Sequence, residues 1–428
     1  MKLDRKRFLR NVGAGVLGLA TAGNWRLEAS SQKGVVLPKF HAGSAQAFWS
    51  AVRSNYTVKE GFVYLNCGGL GPAPHPVLAR YRAVTAELEE TVDAGRDLFE
   101  APRKALAGFL GAKDKEICFV RNATEGNSIV ASGLDLKAGD EVIFESHAHP
   151  GGSLPWLNLA RQQGVKVKTF VPDAGSAEGN LERIAAVATS RTKVIQVSHI
   201  TAPTGLVMPV KAIGQWAHDR GCWFHIDGAQ SAGMIPFSLR EIGCDSYATS
   251  GHKWLGGPRE TGVLFIREDK IDRVSPRHIG SYSSDDYDFS GKLTFVEGVR
   301  RHEYGTRNAA SIVALGEAVR FQETIGRERL AEYGTTLGRR LHEGLARIPK
   351  VTVLTPTAHG LRASITTFAV AGADAGKVFG YLLKEDGLRC RPVTEEGLQA
   401  VRVSTHVFNT AEECDRVVAC VGSLVKTL

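Results

Sequence analysis

A lysine and an aspartate follow two short runs with aromatic or β-branched residues in the middle of the chain, and their side chains could share one reaction. Lys253 comes after the run 246–249 and a glycine turn, and Asp227 ends the run 223–226. A lysine amine can form a Schiff base with an aldehyde, and a carboxylate can keep a pyridine nitrogen protonated so that the ring accepts electrons. Pyridoxal 5′-phosphate (PLP) chemistry needs both groups together, so the pair predicts a PLP enzyme that acts on an amino acid.

Two alternatives from other classes fit part of the same segment. Ser250-Gly-His-Lys253 also satisfies S-x-x-K, the motif of serine acylases of the penicillin-binding type, but the chain contains no Lys-Thr-Gly and leaves Asp227 unexplained. A non-catalytic PLP-fold binding protein or sensor is the other alternative. Absorbance after mixing with PLP separates the first alternative from the PLP enzyme, and turnover of amino acids separates the second.

The elements around these residues alternate between strand and helix. Strands are predicted at 117–120, 141–144, 165–171, 193–198, 223–226, 246–249 and 262–266. Strands that alternate with helices indicate an α/β fold with a mostly parallel, doubly wound sheet, whose ligands bind at the carboxyl ends of the strands. We predict a leader at 1–30, an arm at 31–60, a large cofactor-binding domain at 61–318 and a smaller C-terminal α+β domain at 319–428.

The two segments together resemble a known family. His-x-Asp-Gly-Ala-Gln at 225–230, followed by Ser-Gly-His-Lys-Trp at 250–254, is similar to the signature of class V aminotransferases, which isopenicillin N epimerases and cysteine desulfurases share. The resemblance implies PLP fold type I, with Lys253 bonded to the cofactor and Asp227 paired with its ring nitrogen.

Further cofactor contacts follow from the resemblance. The turn 121–126 leads from a strand into a helix, where free N–H groups suit an anion, and it would bind the phosphate through Ala123 and Thr124. Ser250 and His252 resemble additional phosphate ligands of the family. Gln230 is expected to donate to the phenolic oxygen of the ring.

Three further predicted site residues lie in three separate segments. The resemblance gives His149, in preference to His147, the role of stacking on the ring, where it could also relay protons. Arg402 resembles the arginine that clamps the substrate carboxylate in a bidentate fork. Thr306 resembles a residue that reaches the phosphate of the neighbouring subunit, which implies a homodimer with shared active sites.

Two departures from the family pattern bear on the reaction. Ala202 stands where desulfurase-like relatives have an asparagine beside the cofactor, and Thr201 could substitute for it. The segment 387–392 lacks the histidine-rich cysteine loop of a desulfurase, so sulfur transfer is disfavoured. Transamination, epimerisation and elimination remain open, and the overall character is closest to the isopenicillin N epimerase-like branch.

The N-terminal leader carries half of the formal net charge of +8, with six Lys or Arg among residues 1–30 against Asp4 and Glu28. Arg5-Lys6-Arg7-Phe8-Leu9 resembles a twin-arginine export signal with lysine in the second position, and the uncharged stretch that follows is too short for a stable membrane span. Export, most simply to the periplasm, is therefore predicted, with a basic tail on a cytoplasmic enzyme as the alternative. The remaining charge is dispersed, which argues against a nucleic-acid partner.

Seven cysteines are scattered without a C-x-x-C pair. This pattern predicts neither a disulfide framework nor a zinc site, and no metal is expected.

Overall fold

A seven-stranded sheet forms the centre of the computed structural model, which describes residues 37–59, 61–358 and 360–428. The predicted leader at 1–30 lies outside the described residues. The described strands are β1 (Val63–Tyr64), β2 (Ile117–Val120), β3 (Glu141–Glu145), β4 (Lys166–Phe170), β5 (Thr192–Ser198), β6 (Trp223–Asp227), β7 (Ser246–Ser250), β8 (Gly262–Ile266), β9 (Ser284–Tyr287), β10 (Leu293–Phe295), β11 (Val351–Val353), β12 (Ile365–Val370), β13 (Leu388–Arg389), β14 (Arg391–Val393) and β15 (Ala400–Ser404).

Helices connect and cover these strands. The described α-helices are α1 (Ala45–Arg53), α2 (His75–Thr91), α3 (Glu100–Leu110), α4 (Ala123–Gly133), α5 (Pro150–Gln163), α6 (Ala177–Val187), α7 (Val210–His218), α8 (Leu239–Ile242), α9 (Ala309–Ile325), α10 (Arg327–Ala346), α11 (Ala375–Asp386) and α12 (Ala411–Lys426). Within the described ranges, none of the helices is both long and apolar enough to cross a bilayer.

The central sheet has the order β2-β8-β7-β6-β5-β3-β4. Neighbours from β4 through β7 are parallel, and β8 is antiparallel to both β7 and β2. Every residue of β6 and β7 is buried, as expected for strands covered by helices on both faces. The predicted fold class is confirmed, and the predicted strands are found within one residue at each end.

Parallel pairing brings the two chemical segments to one edge of this sheet. Asp227 is the last residue of β6 and pairs with Ala248 of β7. Lys253 follows the end of β7 by three residues. The carboxyl ends of parallel strands lie at the same edge, so the acid and the lysine face the same region.

A second, four-stranded sheet with the order β11-β12-β15-β14 lies in the C-terminal part of the chain. Its core includes Leu337, Leu388 and Val401, and also Val63 and Leu65 from near the beginning of the described chain. The early residues join this core because β1 pairs in parallel with β13. The domain division after residue 318 stays a prediction.

Candidate active site

Lys253 lies on a turn that is packed closely against Gly71. The Gly71 N–H donates to the carbonyl of His252 at 2.8 Å, and a Cβ at position 71 would lie 1.9 Å from the Lys253 carbonyl oxygen. The next residue, Trp254, is fully buried, and its carbonyl accepts from Gln322 Nε2 at 2.6 Å. The lysine backbone therefore has little freedom, which fixes the origin of its side chain.

The electrostatic surroundings of Lys253 favour its neutral amine. Loss of water around the side chain lowers its pKa to about 8, with Arg402 and Arg391 acting in the same direction and Asp227 opposing them. About one tenth of the side chain is then unprotonated at pH 7, far more than for an exposed lysine with its pKa of 10.5. An unprotonated amine is the form that attacks a carbonyl group.

Asp227 is buried and accepts two hydrogen bonds from neutral groups. Its Oδ1 accepts from the Ala229 N–H at 3.0 Å, and its Oδ2 accepts from Asn127 Nδ2 at 2.9 Å. Gly152 lies against the same carboxylate, since a Cβ there would be 2.9 Å from Oδ2. The absence of a side chain at position 152 preserves space beside the acid.

The residues predicted to bind phosphate gather at the start of α4. Asn122 caps this helix by accepting from the Glu125 N–H, and the Ala123 N–H donates to Ser250 Oγ at 3.0 Å. The Thr124 side chain is exposed, and its hydroxyl lies next to Gly151, where a Cβ would approach it to 2.3 Å. The first amides of a helix have no intrahelical acceptor and suit an anion.

His252 and His149 are both neutral at neutral pH. Burial lowers the pKa of His252 to about 4, and its buried Nδ1 has no partner among the described residues. His149 is exposed at the start of α5, where its Nδ1 accepts from the Gly151 N–H at 3.0 Å. Loss of water and then the charge of Lys253 lower the pKa of His149, which places this imidazole within electrostatic reach of the lysine.

Two predicted cofactor residues also bind protein groups. Gln230 Nε2 donates to the Gly68 carbonyl at 2.9 Å, which leaves the second hydrogen of this amide nitrogen for another acceptor. The Thr201 hydroxyl bonds to that of Thr204 at 2.8 Å and accepts from the Leu206 N–H at 3.0 Å. Thr201 thus stabilises its own turn, and its contact with the cofactor stays a prediction.

Arg402 is a buried cation on β15 of the second sheet. It is 2 % exposed and donates to the Ala202 carbonyl and to Asn66 Oδ1, both at 2.9 Å. Its Nε is buried without a partner, as is the nearby Ser404 Oγ. Burial lowers the pKa of Arg402 to about 9, so the side chain still carries its charge at neutral pH. The unpartnered donor suits a substrate carboxylate.

A second arginine beside Arg402 was missed by the sequence analysis. Arg391 pairs with Arg402 across β14 and β15, so both side chains lie on one face of the sheet. Arg391 forms an ion pair with Glu395, while its Nη1 is buried and unpartnered. The sequence signal was weak because the position of Arg391 opposite Arg402 depends on the pairing of two strands.

Asn127 and His225 were also missed as site residues. Asn127 lies three residues after Thr124 on α4, and this spacing puts both side chains on one helix face. The spacing could have indicated that Asn127 faces the same site as Thr124. His225 lies two residues before Asp227 in β6 and bonds to Asn127.

Thr306 is exposed in the loop before α9. The next residue, Arg307, lies 3.6 Å from Glu125 of the same chain, so this loop reaches the first turn of α4. The predicted contact of Thr306 with a neighbouring subunit stays a prediction.

The cysteines do not supply a reactive thiolate. All seven are buried and none forms a disulfide. Burial raises the pKa of Cys390 to about 12 and also raises that of Cys67, so both stay protonated thiols at neutral pH.

Comparisons with known proteins agree with this geometry. A family model described as "Aminotransferase class-V" matches residues 76–417. An isopenicillin N epimerase from Amycolatopsis lactamdurans is 29% identical over 395 residues, which cover 88% of this chain and 99% of the relative. The apo structure of a cysteine desulfurase from Thermococcus onnurineus NA1 superposes with a TM-score of 0.80 at 27% identity, covering 92% of this chain and 100% of that chain. A mutant of C-DES with glycine covalently linked to its PLP cofactor superposes with a TM-score of 0.79 at 25% identity, covering 86% of this chain and 98% of that one.

Proposed function

Because this chain belongs to the aminotransferase class-V family, whose enzymes use PLP, we propose that it removes the α-proton of an amino acid held by Arg402. The observation that carries the proposal is the pairing of Asp227, at the end of β6, with Ala248 of β7, which brings the acid to the sheet edge where Lys253 follows β7 by three residues. No separate function is needed to explain the lysine, so the serine-acylase alternative is set aside.

The residues present fit PLP. The orphaned Nδ1 of His252 and the start of α4 offer polar groups to a phosphate, while Asp227 offers a carboxylate to a ring nitrogen. Lys253, with its lowered pKa, offers an amine to an aldehyde. When bound, PLP supplies an electron sink for the charge that develops at the substrate α-carbon.

Each protein group then has a separate task. Arg402 binds the α-carboxylate through the donors that its own chain leaves open, which orients the α-carbon. Lys253 accepts the α-proton, because its lowered pKa makes it a base near neutral pH. Asp227 accepts a hydrogen bond on each carboxylate oxygen, which fixes the orientation of the group that would meet the ring nitrogen.

Sulfur transfer to a cysteine is disfavoured for this chain. That reaction requires a nucleophilic thiolate near the substrate, and the cysteines are buried. Epimerisation, transamination and β-elimination all begin with loss of the α-proton, and we infer that one of these three is the reaction.

Incubation with single amino acids in deuterated buffer tests this proposal. We expect the α-hydrogen of at least one amino acid to exchange, with formation of its enantiomer, a keto acid or an elimination product. The Lys253→Ala variant is the control and should give no exchange. A PLP-loaded protein that exchanges no α-hydrogen over a full panel would identify a non-catalytic binding protein and overturn the proposal.

We also infer that two copies of the chain form the active enzyme, with Thr306 of one contacting the phosphate held by the other. Light scattering should give twice the chain mass. Mixing inactive Lys253→Ala subunits with impaired Thr306→Ala subunits should restore activity, because one site of each hybrid then has both residues intact. A monomeric active enzyme would contradict the inference.

A further inference from the structure

A buried side-chain amide connects three parts of the candidate active site. Asn127 Nδ2 donates to Asp227 Oδ2 at 2.9 Å and to the Gly151 carbonyl at 3.1 Å. Asn127 itself lies on α4, one turn after Thr124. The amide therefore links the phosphate-binding helix, the acid at the end of β6 and the turn that follows His149.

The orientation of this amide follows from its neighbours. The Asp227 carboxylate and the Gly151 carbonyl are both acceptors, so the NH₂ group must face them and Oδ1 must face the other way. On that other side, His225 Nε2 lies 2.9 Å from Asn127 Oδ1. Since Oδ1 can only accept, His225 carries a hydrogen on Nε2.

The series of hydrogen bonds continues beyond His225. His225 Nδ1 lies 2.8 Å from Ser246 Oγ, which also accepts from Trp223 Nε1 at 2.9 Å. Burial lowers the pKa of His225 to about 4, so the ring is neutral and its Nδ1 accepts from the serine hydroxyl. Each group from Trp223 onward thus donates toward Asp227.

The series of hydrogen-bonded side chains from Trp223 to Asp227 is buried throughout. Asn127, His225 and Ser246 are each 0 % exposed, and none of them has an unpartnered polar atom. A buried network with every member satisfied holds its side chains in one arrangement, whereas loss of one member leaves its neighbours unpaired.

We propose that Asn127, oriented by His225, is a positioning residue that fixes the orientation of the Asp227 side chain and sets its place relative to Thr124 and His149. This inference rests on the proposed function, because it concerns the acid that would meet the cofactor ring. The donors that reach Asp227 are all neutral, so the carboxylate gains hydrogen bonds without a fixed positive charge that would compete with the ring nitrogen for it.

Two substitutions of Asn127 test the role. Asn127→Asp has the same shape but puts a second carboxylate beside Asp227, and like charges at this distance cannot both ionise freely. Asn127→Ser removes the amide without adding charge. We expect both variants to bind PLP at Lys253, to shift the absorbance spectrum of the bound cofactor, and to lose kcat by about tenfold to 100-fold, in the range seen for outer-shell partners of metal ligands, with little change in KM.

Asn180 provides a matched control elsewhere in the chain. It is equally buried and makes three hydrogen bonds, but all of them go to the backbone of residues 173 and 176. Asn180→Asp and Asn180→Ser should lower the denaturation midpoint as the Asn127 variants do, yet leave the cofactor spectrum and kcat at the wild-type values. A merely structural Asn127 would behave like Asn180.

The position of the hydrogen on the His225 ring can be measured without any catalytic turnover. Nitrogen-15 NMR of histidine-labelled protein at neutral pH should show His225 as the neutral Nε2–H form, assigned by its disappearance in His225→Gln. A hydrogen on Nδ1 instead, or an unchanged spectrum and kcat in both Asn127 variants, would overturn the inference. In that case exchange of substrate α-hydrogen that depends on Lys253 would still support the proposed function.

Discussion

The Trp254 indole donates its N–H to Gln230 Oε1 at 2.8 Å, with both side chains buried. This bond joins the residue after Lys253 to the residue three positions after Asp227. The lysine turn and the end of β6 are therefore fixed to each other by a side-chain hydrogen bond in addition to the pairing of β6 with β7. It also fixes the Gln230 amide, whose nitrogen then faces the Gly68 carbonyl.

Asp227→Asn should separate cofactor binding from catalysis. The amide keeps the size of the side chain, so we expect PLP to stay bound to Lys253. Catalysis should fall by orders of magnitude, because an unprotonated pyridine nitrogen is a poor electron sink. Steady-state kinetics and absorbance of the purified variant measure both effects, and near-native kcat would show that Asp227 has another role.

Arg402→Ala should affect the substrate rather than the cofactor. Loss of a guanidinium that pairs with a desolvated carboxylate costs roughly 2 to 5 kcal/mol, so KM for amino acids should rise while the absorbance of bound PLP is unchanged. Arg402→Lys keeps the charge but not the fork and should recover only part of the affinity. If the wild type turned over amines without a carboxylate equally well, Arg402 would not be the residue that binds the substrate carboxylate.

The sequence was sufficient for the sheet and for the residues at strand ends. Asp227 and Ser250 end β6 and β7, and Lys253 follows β7. A position at the carboxyl end of a parallel strand predicts the sheet edge at which a residue lies. Two other features depend on contacts between separate segments of the chain. They are the register of Arg391 opposite Arg402 and the pairing of Val63 with Leu388. No local pattern encodes such contacts, which is why Arg391 was missed.

Glu145 should make stability depend on pH. It is fully buried, its Oε1 accepts from the Ser198 N–H at 3.0 Å, and its Oε2 has no partner. Burial raises the pKa of this carboxyl from 4.5 to about 7. The folded state therefore holds a proton that the unfolded state releases, and stability decreases as pH rises between these values.

Glu145→Gln removes this dependence and keeps an acceptor for Ser198. The variant should gain stability relative to wild type as pH rises from about 4.5 to 7, by roughly 3 kcal/mol at most for a shift of this size. Urea unfolding of both proteins at the two ends of this range measures the difference. A difference that is the same at both ends would contradict the assignment of the proton to Glu145.

Export is a separate proposal, and it rests on Arg5-Lys6-Arg7-Phe8-Leu9 and the short uncharged run after it. A fusion of residues 1–35 to a reporter that must fold before export should appear outside the cytoplasm. Arg5→Lys should block it, because the pathway then meets two lysines. Cleavage is expected after Ala22 or a few residues beyond, and a cytosolic chain with residues 1–22 intact would show that the leader is a basic tail.

We propose that Lys253 holds PLP and carries out the chemistry. Its most direct test is borohydride reduction of the PLP-loaded protein, followed by protease digestion and mass spectrometry. We predict a single pyridoxyl adduct on the peptide that contains Lys253, and neither adduct nor turnover in Lys253→Ala. An adduct on another lysine, or cofactor still trapped by borohydride in Lys253→Ala, would contradict the account.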